Sequence, residues 1–219
     1  MKMRLNEDFS LNVVIRPDDY HWVPSPMPGV HRMMLDRIGD EVARATTIVR
    51  YAANSQFSAH THGGGEEYFV LDGIFSDENG DYPRGTYVRN PIGTAHTPRV
   101  GPEGATIFVK LHQFLVDDIE QKVIQTTEGL WREGKRSGLE MILHRHRKER
   151  VALLRCSPNH PLVIQGKERG EEILVLDGDI LDENGQYPKG SWLRSPQVNS
   201  RRLFAGDGGA IVYVKTGHL

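Results

Sequence analysis

The chain has 219 residues, with 27 Lys and Arg against 29 Asp and Glu and a formal net charge of −2. That length accommodates one large domain or two small ones, either with a proper core. The near-neutral balance excludes bulk attraction to nucleic acid or an acidic membrane, and the N-terminus lacks the apolar core of a signal peptide, so a cytoplasmic protein is expected.

Short runs of β-branched and aromatic residues, spaced by Gly and Pro, predict an all-β sandwich or barrel. In chain order, Leu11 to Ile15 is a candidate edge cover, across two barrels or between two chains as in a homodimer. Strands are predicted over 45–51, 67–71, 86–89, 106–111 and 210–215, and a short helix over Val116 to Val123, capped by Asp117 or Asp118. Between the first two strands lies the stretch Phe57 to Gly73. On a strand His60 and His62 point the same way, because side chains alternate with a period of two. A carboxylate, Glu66, follows across Gly63, Gly64 and Gly65, which turn without steric cost. This is the outline of a metal cradle that needs a further ligand from elsewhere.

An internal repeat dominates the chain. Gly65 to Pro91 recurs without a gap as Gly170 to Pro196, and the register extends outward through Arg50 with Arg155, Asn54 with Asn159 and Lys110 with Lys215. Two copies of one β-unit are therefore expected: 1–115 and 131–219, joined by a linker over 116–130. In each copy Asp77 to Gly80 and Asp182 to Gly185 read as hairpin turns, with Asn-Gly suited to type I′. The basic run His144 to Arg150 reads as a solvated strand and turn, and the single cysteine, Cys156, as a buried structural thiol in a reducing compartment.

His60-x-His62 with Glu66 and Gly73 resembles the first cupin motif, and Gly85, Pro91, Gly93 and His96 resemble the second. The wording around them is similar to the cupin of ChrR-type anti-sigma factors, fully in the first copy and in degraded form in the second. The resemblance implies two tandem jelly-roll barrels and a metal, often zinc, held by His60, His62, Glu66 and His96. Asn54 stands where the first motif usually opens with Gly, a mild change because Asn tolerates left-handed backbone. Trp22-Val-Pro and Pro28-Gly-Val30 fit the same pattern upstream; with only about twenty residues before that first match, neither the helical sigma-binding domain of those regulators nor a sigma-factor partner is expected. The same sub-pattern is similar to that of aromatic-ketone and diketone dioxygenases that use non-haem iron.

The ligand set suits zinc, iron, manganese, nickel or copper without choosing between them; the resemblance puts zinc first, with iron, manganese or nickel as alternatives. Four protein ligands would close a tetrahedral zinc, whereas an octahedral metal would keep two positions open. Glu67 is the rival to Glu66 as the carboxylate ligand. The second copy acts as a control: His60, His62, Gly93 and His96 become Gln165, Lys167, Val198 and Arg201, so one metal per chain is predicted, in the first barrel. Arg50, Arg89, Lys110 and Tyr82 have identical counterparts in Arg155, Arg194, Lys215 and Tyr187, which points to structural roles, with buried cations paired to carboxylates. Thr61, Tyr68, Phe57 and Tyr87 occur only in the first copy. Tyr68, which alternation puts on the face of Glu66, is a candidate for lining the cavity, as are Phe57 and Tyr87. His144-x-His146 lacks a carboxylate at the right spacing, and His21, His31, His112, His160 and His218 have no motif context. The readings that follow are a metal-binding protein that takes a small ligand in a sensing or regulatory role, or a non-haem dioxygenase acting on a small carbonyl or phenolic compound. No residue is assigned a catalytic role.

Overall fold

The structure, a computed structural model, describes residues 3–127, 129, 131–134, 138–166 and 169–219. The described residues fold into antiparallel β-sheets, with one 3-10 turn, Pro17–Asp19, as their only helical element. None of their helices is long and apolar enough to cross a membrane. They form two compact units: Met1–Glu7 with His21–Glu128, and Asp8–Tyr20 with Gly129–Leu219.

In the first unit Arg4–Leu5, Val30–Ile38, Arg44–Tyr51, Arg99–Leu111, Glu66–Asp77, Thr86–Asn90 and Lys122–Gln125 neighbour one another in that order. The short strands His60–Thr61 and Ala95–His96 form a separate ribbon. The second unit repeats the scheme: Glu149–Cys156, Phe204–Thr216, Glu171–Asp182 and Trp192–Ser195 lie side by side. The repeat persists in the backbone: Asn54 and Asn159 take left-handed conformations, φ 57° and 59°, at the same point of each unit. Asparagine there is therefore an intact turn, as its tolerance for that region predicts.

The strand Glu66–Asp77 opens with five residues buried on both faces. Its inner face carries Glu66, Tyr68 and Val70, and Tyr68 and Val70 join a core with Val49, Phe57, Phe75, Tyr82 and Ile107. Its outer face carries Glu67 and Phe69. Cross-strand register puts Lys110 and Arg89 on either side of Glu67, and Lys215 and Arg194 on either side of Glu172. The same buried row of charges thus runs across both units. Arg89 donates to Glu67 at 2.8 Å and pairs with Asp118, and Lys215 pairs with Glu149 at 3.0 Å, the structural role expected of them. Arg50 and Arg155 differ. They are exposed and stack on Trp22 and Trp131 at 3.9 and 4.4 Å, so they cover indole rings instead of burying charge.

Several expectations are corrected. Val116 to Val123 is no helix: it is a turn and extended chain leading into the strand Lys122–Gln125, which pairs with Thr86–Asn90. Its apolar residues face solvent, Val116 at 86% exposure, and Asp118 accepts from Arg89 instead of capping. Residues 122–125 of the expected linker therefore belong to the first sheet. The edge cover expected over Leu11 to Ile15 takes its first alternative, Val13–Ile15 pairing with Trp192 to Arg194 of the second copy. Each unit thus has the strand after its hairpin covered by a segment from outside the repeat. The hairpin turns are not type I′: the central residues Glu78 and Asn79 both lack positive φ. Instead the Asp77 carboxylate accepts the Asn79 N–H at 2.7 Å, and Gly80 follows the turn, the Asp-first, Gly-last pattern of type I. Within the basic run His144 and Arg150 are buried, and Arg150 donates to Glu140 at 2.6 Å.

Val14 packs partly buried against the core of the second unit. Val14→Asp therefore places a carboxylate on that core, and a stability loss of about 2–4 kcal/mol in denaturant unfolding is expected. A change of a few tenths would mean that this strand carries no weight.

Candidate metal centre

The ribbon and the sheet bring four side chains together. His60 and His96 are cross-strand partners in the ribbon, and Glu66 opens the long strand beside them. The glycine turn is required by close approach: a Cβ on Gly64 would lie 2.2 Å from the His112 ring, and one on Gly65 2.3 Å from the Phe114 ring. Ligand atoms of His60, His62, Glu66 and His96 all lie within 4.8 Å of one another. His62 Nε2 and His96 Nε2 stand 3.3 and 3.7 Å from Glu66 Oε2, and His60 Nε2 lies 3.2 Å from His96 Nε2. Donors bonded to one ion at about 2.0–2.2 Å lie roughly 3–4 Å apart. The cluster has nearly that spacing.

Hydrogen bonds on the far nitrogens fix the tautomers. The Thr94 hydroxyl donates its one hydrogen to the Pro91 carbonyl at 2.7 Å, so at 2.9 Å it accepts from His62 Nδ1–H. His60 Nδ1 faces the Ser58 carbonyl at 3.3 Å and His96 Nδ1 the Asp77 carboxylate at 3.2 Å, both pure acceptors. All three Nε2 atoms therefore present lone pairs. The His60 and His96 lone pairs face each other across 3.2 Å, and buried His62 Nε2 has no hydrogen-bond partner among the described residues. A cation between them satisfies all three, so the donor set fits a metal ion.

The electrostatics agree. Burial alone would raise the Glu66 carboxyl, but the neighbouring imidazoles, His62 first and then His96 and His60, outweigh it and hold the carboxyl below its usual range. Burial lowers His96, as do His62 and His60, against the opposing pull of Glu66 and Asp77, which favours the neutral ligand form. Glu67 is excluded as the carboxylate of this cluster: it faces the other side of the sheet and pairs with Arg89. In the second unit Arg201 stands at the place of His96, 3.5 Å from Asp182, the counterpart of Asp77. Gln165, at the place of His60, donates to Glu140 at 3.2 Å. The counterpart of His62, Lys167, lies outside the described residues. Glu171, left there without imidazoles, is pushed up to about 7 by burial, against the Asn199 N–H and Arg201.

A cavity of about 440 Å³ opens beside the cluster, with His60, His62 and Glu66 in its wall and apolar side chains, Val30, Val49, Phe57 and Val109 among them, around it. Phe57 thus lines it. Tyr68 shares the face of Glu66 but lies behind the wall, its hydroxyl buried with no partner among the described residues. Tyr87 does not line the cavity: it pairs with Phe69 in register and so faces the opposite side of the sheet. Tyr51, Arg32 and His112 also line the cavity and escaped sequence reasoning. For two of them the repeat held the signal, since Tyr51 meets Cys156 and His112 meets Gly217. Asp77 was hidden by its turn, being retained as Asp182 while orienting a different partner in each unit.

The sequence model of the ChrR cupin-like domain matches residues 10–115 and again 120–219. The chain belongs to the ChrR cupin-like family. Among solved structures, a proposed dioxygenase from Nostoc punctiforme is similar at TM-score 0.76 and 14% identity, covering 95% of this chain and 83% of that one. Bacterial pirin YhhW from Escherichia coli in complex with nickel(II) follows at 0.66 and 12%, covering 95% and 100%. Oxalate decarboxylase from Bacillus subtilis gives 0.63 and 13%, covering 93% and 76%. At such identities these likenesses show the fold alone. A search of curated proteins finds no match. In this ChrR cupin-like chain the two matches coincide with the two copies of the repeat.

Asp77→Ala removes the acceptor that orients His96, and an orienting partner of this kind is worth roughly 10–100-fold in metal affinity. A competition titration with a chromophoric chelator measures it. In the same assay Glu66→Gln lowers affinity while Glu67→Gln leaves it unchanged. The second variant instead removes one of the two carboxylates that buried Arg89 pairs with, Asp118 remaining, at about 1.5–3 kcal/mol of stability. Glu171 gives a pH signature of opposite sense to a salt-bridged acid. Its folded pKa is raised, so the native state binds the extra proton, and stability falls as pH climbs from the unfolded value to about 7. Glu171→Gln is expected to add stability on the order of 3 kcal/mol above pH 7 and almost none near pH 4, read from unfolding midpoints across that range.

Proposed function

We propose that His60, His62, Glu66 and His96 bind one divalent transition metal, zinc first among them, and that a small molecule binds at the ion in a sensing or regulatory role. The observation that carries this reading is the convergence of three Nε2 lone pairs and one carboxylate on a single point beside an apolar cavity. The bound ion would supply a Lewis-acidic centre that polarises an oxygen of the ligand. The protein's own part is to fix the imidazoles through Thr94, Ser58 and Asp77, to keep Glu66 ionised, and to exclude water with the cavity wall.

The second reading, a non-haem dioxygenase for a small carbonyl or phenolic compound, is favoured by one observation. His60 is exposed and the cluster borders the cavity, so a substrate and dioxygen both have access. Elemental analysis of the purified chain tests the shared premise: about one metal per chain is expected, lost in His62→Ala and unaffected by Arg201→Gln. Oxygen uptake by iron(II)-loaded protein with a β-diketone then separates the readings. Sensing predicts none, and uptake abolished by His96→Ala would establish the enzyme.

A further inference from the structure

Two side chains of the cavity wall, Arg32 and Tyr51, hold hydrogen-bond donors that no acceptor among the described residues meets. Val30 pairs with Tyr51 and Arg32 with Val49 across adjacent strands, so these four side chains share the inner face, and all four line the cavity. Arg32 Nη1 meets Glu41 at 3.2 Å, where Glu41 is 64% exposed. The Arg32 Nε–H is buried and has no acceptor among the described residues. The Tyr51 hydroxyl, whose ring stands edge-on to Phe57 with centroids 5.2 Å apart, carries no hydrogen bond among the described residues. The third polar feature is the candidate cation site itself. Of the two carboxylates in this wall, Glu66 belongs to that site and Glu41 is paired with Arg32, so that pair adds no net charge.

Charge and solvation narrow the ligand further. A divalent ion with one carboxylate and three neutral imidazoles leaves a single positive charge beside apolar walls. A monoanion neutralises it, a cation is repelled, and a small dianion exceeds it while carrying hydration that Val30, Val49, Phe57 and Val109 cannot replace. A volume of about 440 Å³ falls in the range of small-ligand sites. Resting on the metal reading above, we infer that the cavity takes a small monoanionic oxygen ligand with an apolar body, a monocarboxylate or enolate. One oxygen goes to the ion, and the acceptors are met by Tyr51 and Arg32.

Calorimetric titration of the zinc-loaded full chain tests this, with benzoate, oxalate and benzyl alcohol as probes and zinc content measured in every sample. Benzoate is expected to bind, with oxalate and benzyl alcohol at least about 10-fold weaker. Arg32→Gln and Tyr51→Phe are each expected to weaken benzoate about 10- to 150-fold, the scale of one lost hydrogen bond to a charged group, without loss of zinc. Oxalate binding as tightly as benzoate, or benzoate affinity unchanged in both variants, would overturn the inference. Zinc retained with no benzoate binding overturns it and leaves the metal reading standing. No zinc retained by the wild type overturns both.

Discussion

Two adjacent glutamates facing opposite ways set the terms for the first unit. Glu66 points into the barrel at three imidazoles, and Glu67 points out at Arg89. Strand alternation allows no other outcome once the register is fixed, and the flanking row of Lys110, Glu67 and Arg89 helps to fix it. A slip of this strand by one residue would drive the carboxylate of the candidate metal site into a cationic row and turn Glu67 towards the imidazoles. The buried charges on the outer face are thus a register device for the chemistry on the inner face. Their recurrence as Lys215, Glu172 and Arg194 is consistent with that, since the second unit keeps the row after losing the histidines.

The inner face then turns geometry into ligand chemistry through atoms remote from the ion site. Each imidazole spends its Nδ1–H on an acceptor, a hydroxyl, a carbonyl or a carboxylate, and so offers Nε2 to the centre. The three acceptors come from three places: the turn before His96, the chain before His60 and the hairpin at Asp77. The centre is therefore a product of the whole end of the barrel. Its open side is the cavity, whose walls derive in part from Val30–Ile38, a strand outside the closely matching core of the repeat.

Much of this was legible in the sequence. The repeat gave two β-units, the His-x-His alternation and glycine turn gave the cradle, and the motif resemblance supplied His96. What escaped depended on partners far away in the chain. An extended segment such as Val13–Ile15 announces that it needs an edge but not which one, and Lys122–Gln125 carries too little periodicity to separate strand from helix. Tyr68 and Tyr87 look alike as tyrosines that the second copy replaces, with Ile173 and Trp192. One residue of parity separates them, and parity is fixed only by the pairing of Phe69 with Tyr87. Arg32 and Tyr51 became visible as site residues only when the register laid their strands side by side. Retention across the repeat also misled in one place, because Asp77 serves both the turn and His96.

The second unit shows why that aspartate persists where the candidate metal ligands do not. Asp182 is buried and accepts from Tyr187 at 2.8 Å, as Asp77 does from Tyr82 at 2.9 Å. A buried carboxylate at this corner requires positive charge or donors to hold it ionised. In the first unit it orients a neutral imidazole that would lean on a metal. In the second the cation is covalently attached: Arg201 reaches Asp182 at 3.5 Å and donates to Tyr187 at 3.0 Å. Burial pushes the Asp182 carboxyl up, and the Tyr187 and Asn184 hydrogen bonds with Arg201 bring it below its usual range. Exchanging histidine for arginine thus fills the corner from within the chain, and the same barrel can hold its shape with its ion site dismantled. The first unit leaves that position to be completed from outside, as a site for binding requires.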